Sequence, residues 1–175
     1  MKKLKLDELN RMDVATFKEA DKHPFVFVLD NIRSFNNVGS AFRTADALAI
    51  DHICLCGITA KPPHRDIHKT ALGATESVTW KHYSSTVEAV ENLKEQGYTI
   101  VGVEQTDSSV MIQDFQLEEG AKYALVFGNE VKGVDDATLP LLDACIEIPQ
   151  FGTKHSFNVS VTMGIVGWDL VKRII

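Results

Sequence analysis

Short apolar runs of strand length recur along this chain, and between them lie segments whose apolar residues return every three or four positions. This alternation restricts the fold strongly. Parallel strands need a crossover of a dozen or more residues between them, and a helix is the usual way to build one. Residues 25–29, 52–56, 78–81, 99–103, 123–127 and 144–148 read as strands, those at 25–29, 99–103 and 123–127 as fully buried ones. Residues 7–20, 37–49, 66–72, 86–96, 135–142 and 157–174 read as helices, the fourth stopped by Gly97. The expected fold is α/β, with a mostly parallel sheet carrying helices on both faces. No linker, internal repeat or low-complexity tract interrupts it, so residues 1–175 read as a single domain, with residues 1–22 a short amino-terminal helical extension.

A chain of 175 residues, 45% hydrophobic, can bury a substantial core. The start MKKLKLDELN has lysines without an apolar run behind them, and no segment approaches the roughly 20 apolar residues of a membrane span. A cytoplasmic protein with no membrane partner is expected. The net charge of −6 argues against a broad nucleic-acid footprint but leaves room for a local one. Arg33, Arg43, Lys61, Arg65 and Lys69 all fall within the first 70 residues. Cys54 and Cys56 alternate in ICLCG and read as buried free thiols on one sheet face, while Cys145 is left over. His64 and His68 follow two prolines without a third ligand at suitable spacing, so they read as surface histidines and no metal site is expected.

Three segments carry chemistry. NIRSFNNVGSAFRTAD, residues 31–46, follows the first strand, where ligands bind in open α/β sheets. Neither G-x-G-x-x-G nor G-x-x-x-x-G-K-[ST] occurs, so this is not a dinucleotide or P-loop turn. Asn36 or Asn37 can cap the helix that follows, with Arg43 on its second turn; the plain alternative is a surface ion pair of Arg43 with Asp46. LVFGNEVKGVDD, residues 125–136, ends a buried strand at Gly128, where the backbone can approach a ligand, and displays Glu130 from a turn closed by Gly133. In residues 148–170 a strand ends at Ile148 and Pro149, a loop holds Gly152, and Ser156 is placed to cap a helix with Asn158 on its first turn. Phe157, Val161, Ile165 and Trp168 form an apolar stripe on that helix, and Ser160, Gly164 and Gly167 a flat one suited to close approach of the sheet or of another subunit.

In this order the segments resemble the three motifs of the SpoU (TrmH-like) branch of the SPOUT methyltransferases. The matches are N-x-G-x-x-x-R from Asn37 to Arg43, FGNE-x-x-G from Phe127 to Gly133, and IP followed by S-x-NVS from Ser156 to Ser160. The resemblance runs from Phe25 nearly to the end of the chain. It implies a carboxy-terminal trefoil knot, a homodimer, S-adenosyl-L-methionine as cofactor, and methylation of a ribose 2′-hydroxyl in RNA, with guanosine in tRNA the favoured substrate and rRNA the alternative. It also implies that Gly128, Ile148 and Phe157 bind the cofactor, with a contribution from the chain near Glu104 and Gln105, and that Arg43, Asn37, Glu130, Ser156 and Asn158 form the catalytic site. Phe157 stands where the family usually has leucine.

In that setting Arg43 is either general base or stabiliser of the forming alkoxide; a guanidinium pKa above about 12 favours the second role. Asn37 would orient Arg43 or the ribose, Glu130 would pair with Arg43 across the dimer or anchor the substrate base, and Ser156 and Asn158 would shape the cofactor loop and nucleotide pocket. Two other classes share features of the chain. A receiver-like or flavodoxin-like domain should show an acidic cluster or phosphate loop after the first strand, where this chain has Asn and Arg. A catalytically silent RNA-binding homologue would lose the motif residues that are present here.

Overall fold

The computed structural model describes residues 1–175, apart from the side chains of Leu6 and Asp7. Seven strands form one sheet: β1 (His23–Asp30), β2 (Ile50–Cys56), β3 (Thr79–Tyr83), β4 (Tyr98–Val103), β5 (Val110–Met111), β6 (Lys122–Phe127) and β7 (Ala144–Glu147). Their order is β3-β2-β1-β6-β4-β7-β5, and every pairing is parallel. The helices are α1 (Val14–Glu19), α2 (Phe35–Ala47), α3 (Arg65–Ala71), α4 (Ala74–Ser77), α5 (Thr86–Glu95) and α6 (Val159–Val171). From β1 the chain winds through α2 toward β2, whereas from β6 it passes over β4 to β7. The connections after β1 and β6 therefore diverge to opposite sides.

Strand periodicity divides the core. Phe25, Phe27 and Leu29 of β1, with Leu125 and Phe127 of β6, point to the face covered by α2, α3 and α6. Val26, Val28, Cys54 and Cys56 point to the opposite face, under Ala89, Val90 and Leu93 of α5. The two cysteines are thus buried and unpaired, and burial pushes the Cys54 thiol up to about 12. Two glycines let helices close on this core. A Cβ on Gly39 would lie 2.3 Å from the Ile67 carbonyl oxygen of α3, and one on Gly167 would lie 2.8 Å from Leu48 and 3.1 Å from Phe27.

Several boundaries differ from the sequence expectations. The helix expected over residues 7–20 is divided: a 3-10 turn at Leu6–Leu9 ends at Asn10, which is left-handed (φ 48°), and α1 starts only after Asp13, whose carboxylate accepts from Thr16 N at 2.8 Å. The helix expected over residues 135–142 is a single 3-10 turn, Leu139–Leu141, with Pro140 inside it. Asp135 there accepts from Ala137 N at 2.9 Å, holding the backbone in a turn instead. Neither the two-residue β5 nor the one-turn α4 is long enough to show a period. Among the described residues no helix is long and apolar enough to cross a membrane.

Candidate active site

The loop after β1 is shaped by where α2 begins. Ser34, not Asn36 or Asn37, caps the helix, its hydroxyl accepting from Asn37 N at 3.3 Å. Asn37 therefore sits in the first turn, buried, with its amide turned to the end of β6. Its Nδ2 donates to Glu130 Oε1 at 2.9 Å, and its Oδ1 accepts from Asn158 Nδ2 at 3.3 Å. Asn158, not Ser156, caps α6, accepting from Ser160 N at 2.9 Å. Asparagine at this position completes the cap and still has an amide NH₂ free to reach Asn37. Residues from three distant motifs are thus joined by hydrogen bonds.

Glu130 is held by more than Asn37. Its carboxylate also accepts from Arg33 N at 3.1 Å and Ser34 N at 3.3 Å. Burial raises its pKa, but the donors from Asn37 and the nearby backbone outweigh that and hold the carboxyl below its ordinary value. The turn that displays it is organised by Asn129, whose Oδ1 accepts from Val131 N at 2.9 Å and whose Nδ2 donates to Asn31 O at 2.6 Å. Gly133 adopts φ +73° and passes so close to Glu104 that a Cβ would lie 2.2 Å from Oε2. A Cβ on Gly128 would lie 2.2 Å from Gly133 C and Val134 N. The missing side chain at Gly128 is therefore required by its own turn, before any ligand is considered.

A cleft of about 520 Å³ lies against this assembly. It is bordered by residues 103–105 after β4, 127–133 after β6, 146–148 after β7, and 155–159 leading into α6. Gly128, Ile148, Ser156, Phe157 and Asn158 all border it, as do Glu104 and Gln105. Gly152 does not, and a Cβ there would meet nothing within 4 Å.

Arg43 stands apart from the cleft. It lies six positions beyond Asn37 on α2, about 240° further round the helix after full turns are removed. Its side chain is exposed and makes no ion pair or hydrogen bond among the described residues. The alternative pairing with Asp46 does not form, and Asp46 instead accepts from the Ser77 hydroxyl. The two stripes of α6 are divided by the packing. Met163, Val166, Gly167 and Leu170 face the core, while Val161 and Trp168 are 49% and 54% exposed. The apolar stripe through Val161 and Trp168 is therefore an outer face. Gly164 lies near it with nothing within 4 Å of a Cβ, unlike the packed Gly167.

Sequence reasoning missed Asp30. This buried carboxylate at the end of β1 accepts from Asn31 Nδ2 at 2.9 Å, Asp135 N at 2.7 Å and the Thr86 hydroxyl, tying the loops after β1 and β6 together. The signal was an acidic residue ending an apolar strand, which has no energetic reason to be buried unless donors meet it.

A wholly parallel sheet, helices on both faces and a cleft at the carboxyl ends of β4, β6 and β7 define an open α/β protein, a class that binds ligands at its strand ends. The chain belongs to the SpoU rRNA methylase family, whose model matches residues 24–168. It is 32% identical over 143 residues to a 23S rRNA (guanosine-2′-O-)-methyltransferase from Neisseria meningitidis, covering 82% of this chain and 56% of that protein. It is 28% identical over 148 residues to a tRNA (guanosine(18)-2′-O)-methyltransferase from Borreliella burgdorferi, covering 85% and 66%. The fold is shared with the AdoMet-bound rRNA methyltransferase from Sinorhizobium meliloti, with a TM-score of 0.81 at 22% identity over 91% of this chain and 60% of that one. The chain thus spans about three fifths of the length of these proteins.

Proposed function

We propose that this chain is an S-adenosyl-L-methionine-dependent RNA methyltransferase acting on a ribose 2′-hydroxyl, with guanosine in tRNA as substrate. The observation that carries the reading is the hydrogen-bonded set Asn37, Glu130 and Asn158 beside a cleft at the carboxyl ends of β4, β6 and β7, in a chain of the SpoU family. The Neisseria relative supports rRNA as a second reading of the substrate.

The residues around the cleft suit the cofactor. Its volume lies in the range of about 300–1,000 Å³ for small-molecule sites. Ile148, Phe157 and Val103 would give the adenine apolar walls, and the backbone of the turn at Gly128 would give its polar edge partners. When bound, the cofactor supplies an electrophilic methyl group on a sulfonium. The chain that wraps this cleft would form the family's trefoil knot.

Arg43 is proposed to stabilise the charge that develops on the 2′-oxygen while its planar fork holds the adjacent phosphate. Because Arg43 faces away from Asn37 on the same helix, it would serve the cleft of a second copy. The exposed α6 face through Val161 and Trp168, apolar and beside α2, would be the homodimer contact. Glu130 and Asn37 then hold the loop against which the target nucleotide sits, with Asn158 and Ser156 at its border. Incubation with methyl-labelled S-adenosyl-L-methionine and unmodified tRNA or rRNA, followed by nuclease digestion and mass spectrometry, tests the reading. A 2′-O-methylguanosine in one RNA class supports it. Label retained on no RNA, with no cofactor binding by calorimetry, overturns it.

A further inference from the structure

A second cavity, of about 620 Å³, opens beside the loop after β2. Pro62, Pro63, Ile67 and Trp80 give it apolar walls, and His64 and Glu76 are among its polar border. The His64 ring is fixed in two ways. Its Nδ1 accepts from Asp66 N at 3.2 Å, capping α3, and one ring face stacks on Phe35 with centroids 3.9 Å apart and planes 11° from parallel. Phe35 opens α2 and follows Ser34, whose N–H binds Glu130. The cavity is therefore linked to the candidate active site through Ser34, Phe35 and His64, each touching the next.

The charge around this path differs from the chain as a whole. Residues 31–70 carry five Lys and Arg against three Asp and Glu, in a chain of net charge −6. Arg33, Lys61 and Arg65 lie within three positions of one of the two stacked rings and form no ion pair among the described residues. The acidic groups nearest to them are Glu130, which accepts from Arg33 N, Asp66 next to Arg65 at the start of α3, and Glu76 in the cavity wall.

We infer that this cavity is a second nucleotide subsite, which takes the unstacked base of a substrate-RNA nucleotide neighbouring the one that is methylated. Unpaired bases are held against aromatic and flat side chains, and their phosphates by cations on the rim. The wall and rim divide in that way here. Glu76 in the lining would accept from an exocyclic amino group of the base inside, and Arg65, which also lines the cavity, would with Lys61 beside it meet the backbone at the mouth. The inference rests on the RNA methyltransferase reading above.

The test uses the full chain and the RNA that it methylates. His64→Asn keeps a capping acceptor for α3 and removes the stacked ring. Its KM for RNA should rise about 10-fold, with kcat at saturating RNA and cofactor affinity held within about twofold. Replacing both Lys61 and Arg65 by Gln should reduce the slope of log affinity against log salt by about two. Unchanged KM and salt slope in correctly folded variants overturn the inference. So does a change in sedimentation without a change in RNA affinity, since the surface would then contact a second copy. Failure of the wild type to methylate any RNA refutes the functional reading instead, and anisotropy with unmodified tRNA still reports whether this surface binds it.

Discussion

Glu130 is an exposed-edge carboxylate surrounded by donors, and its environment makes a signed prediction. Its pKa is lowered in the folded chain, so its stabilising effect is complete above the unfolded value and is lost as pH falls through the lowered folded one. Glu130→Gln should lower the urea midpoint at pH 7, and the gap to wild type should narrow as the solution is taken below about pH 4. A gap constant with pH would mean the carboxylate gains nothing over an amide. At Gly128 the expected effect is steric. Gly128→Ala should cost about 1–3 kcal/mol in the turn, whereas Gly152→Ala, at a position with nothing within 4 Å, should stay within about 0.5 kcal/mol. Paired denaturation curves check both, and equal midpoints would remove the close approach of residues 128 and 133. Asn37, Glu130 and Asn158 were legible as residues because each stands in one of the three segments that resemble the family's motifs. Their mutual bonds were not, since partners 93 and 121 positions apart have no local signature.

α6 shows how far a period can mislead at the scale of an element. Apolar side chains lie nearly all round this helix, so several stripes satisfy a 3.6-residue repeat, and the repeat does not say which is buried. Packing chose Met163, Val166, Gly167 and Leu170. The two glycines separate the faces experimentally. Gly167→Leu should destabilise the fold, because its side chain meets Phe27 and Leu48, while Gly164→Leu should leave the isolated chain folded and act only on association. Circular dichroism and sedimentation distinguish these outcomes, and equal loss of fold in both variants would contradict the assignment of faces. Helix starts were similarly misplaced by one or two residues. Ser34 precedes Asn36 and Asn37, and Asn158 follows Ser156, so each region held more than one competent capping side chain and tertiary contacts selected among them.

For the whole molecule, the direction of Arg43 carries the strongest consequence. If it completes the cleft of a second copy, Arg43→Ala should lower kcat about 100-fold or more with cofactor affinity little changed. Mixing Arg43→Ala chains with Asn158→Ala chains should then restore activity to about a quarter of the wild-type level, because each mixed dimer contains one site with both residues intact. No recovery after equilibration would place Arg43 in its own cleft or outside catalysis.

The alternation of strand and helix runs, the two-sided burial of the central strands and the identity of the three motifs were all determined by the sequence alone. Each depends on residues close together in the chain. The insertion of β6 between β1 and β4, the convergence of Asn37, Glu130 and Asn158, the burial of Asp30 and the outward face of α6 were decided by tertiary structure. They depend on which distant surfaces meet, and that choice is made by the summed burial and hydrogen bonding of the whole core rather than by any one segment.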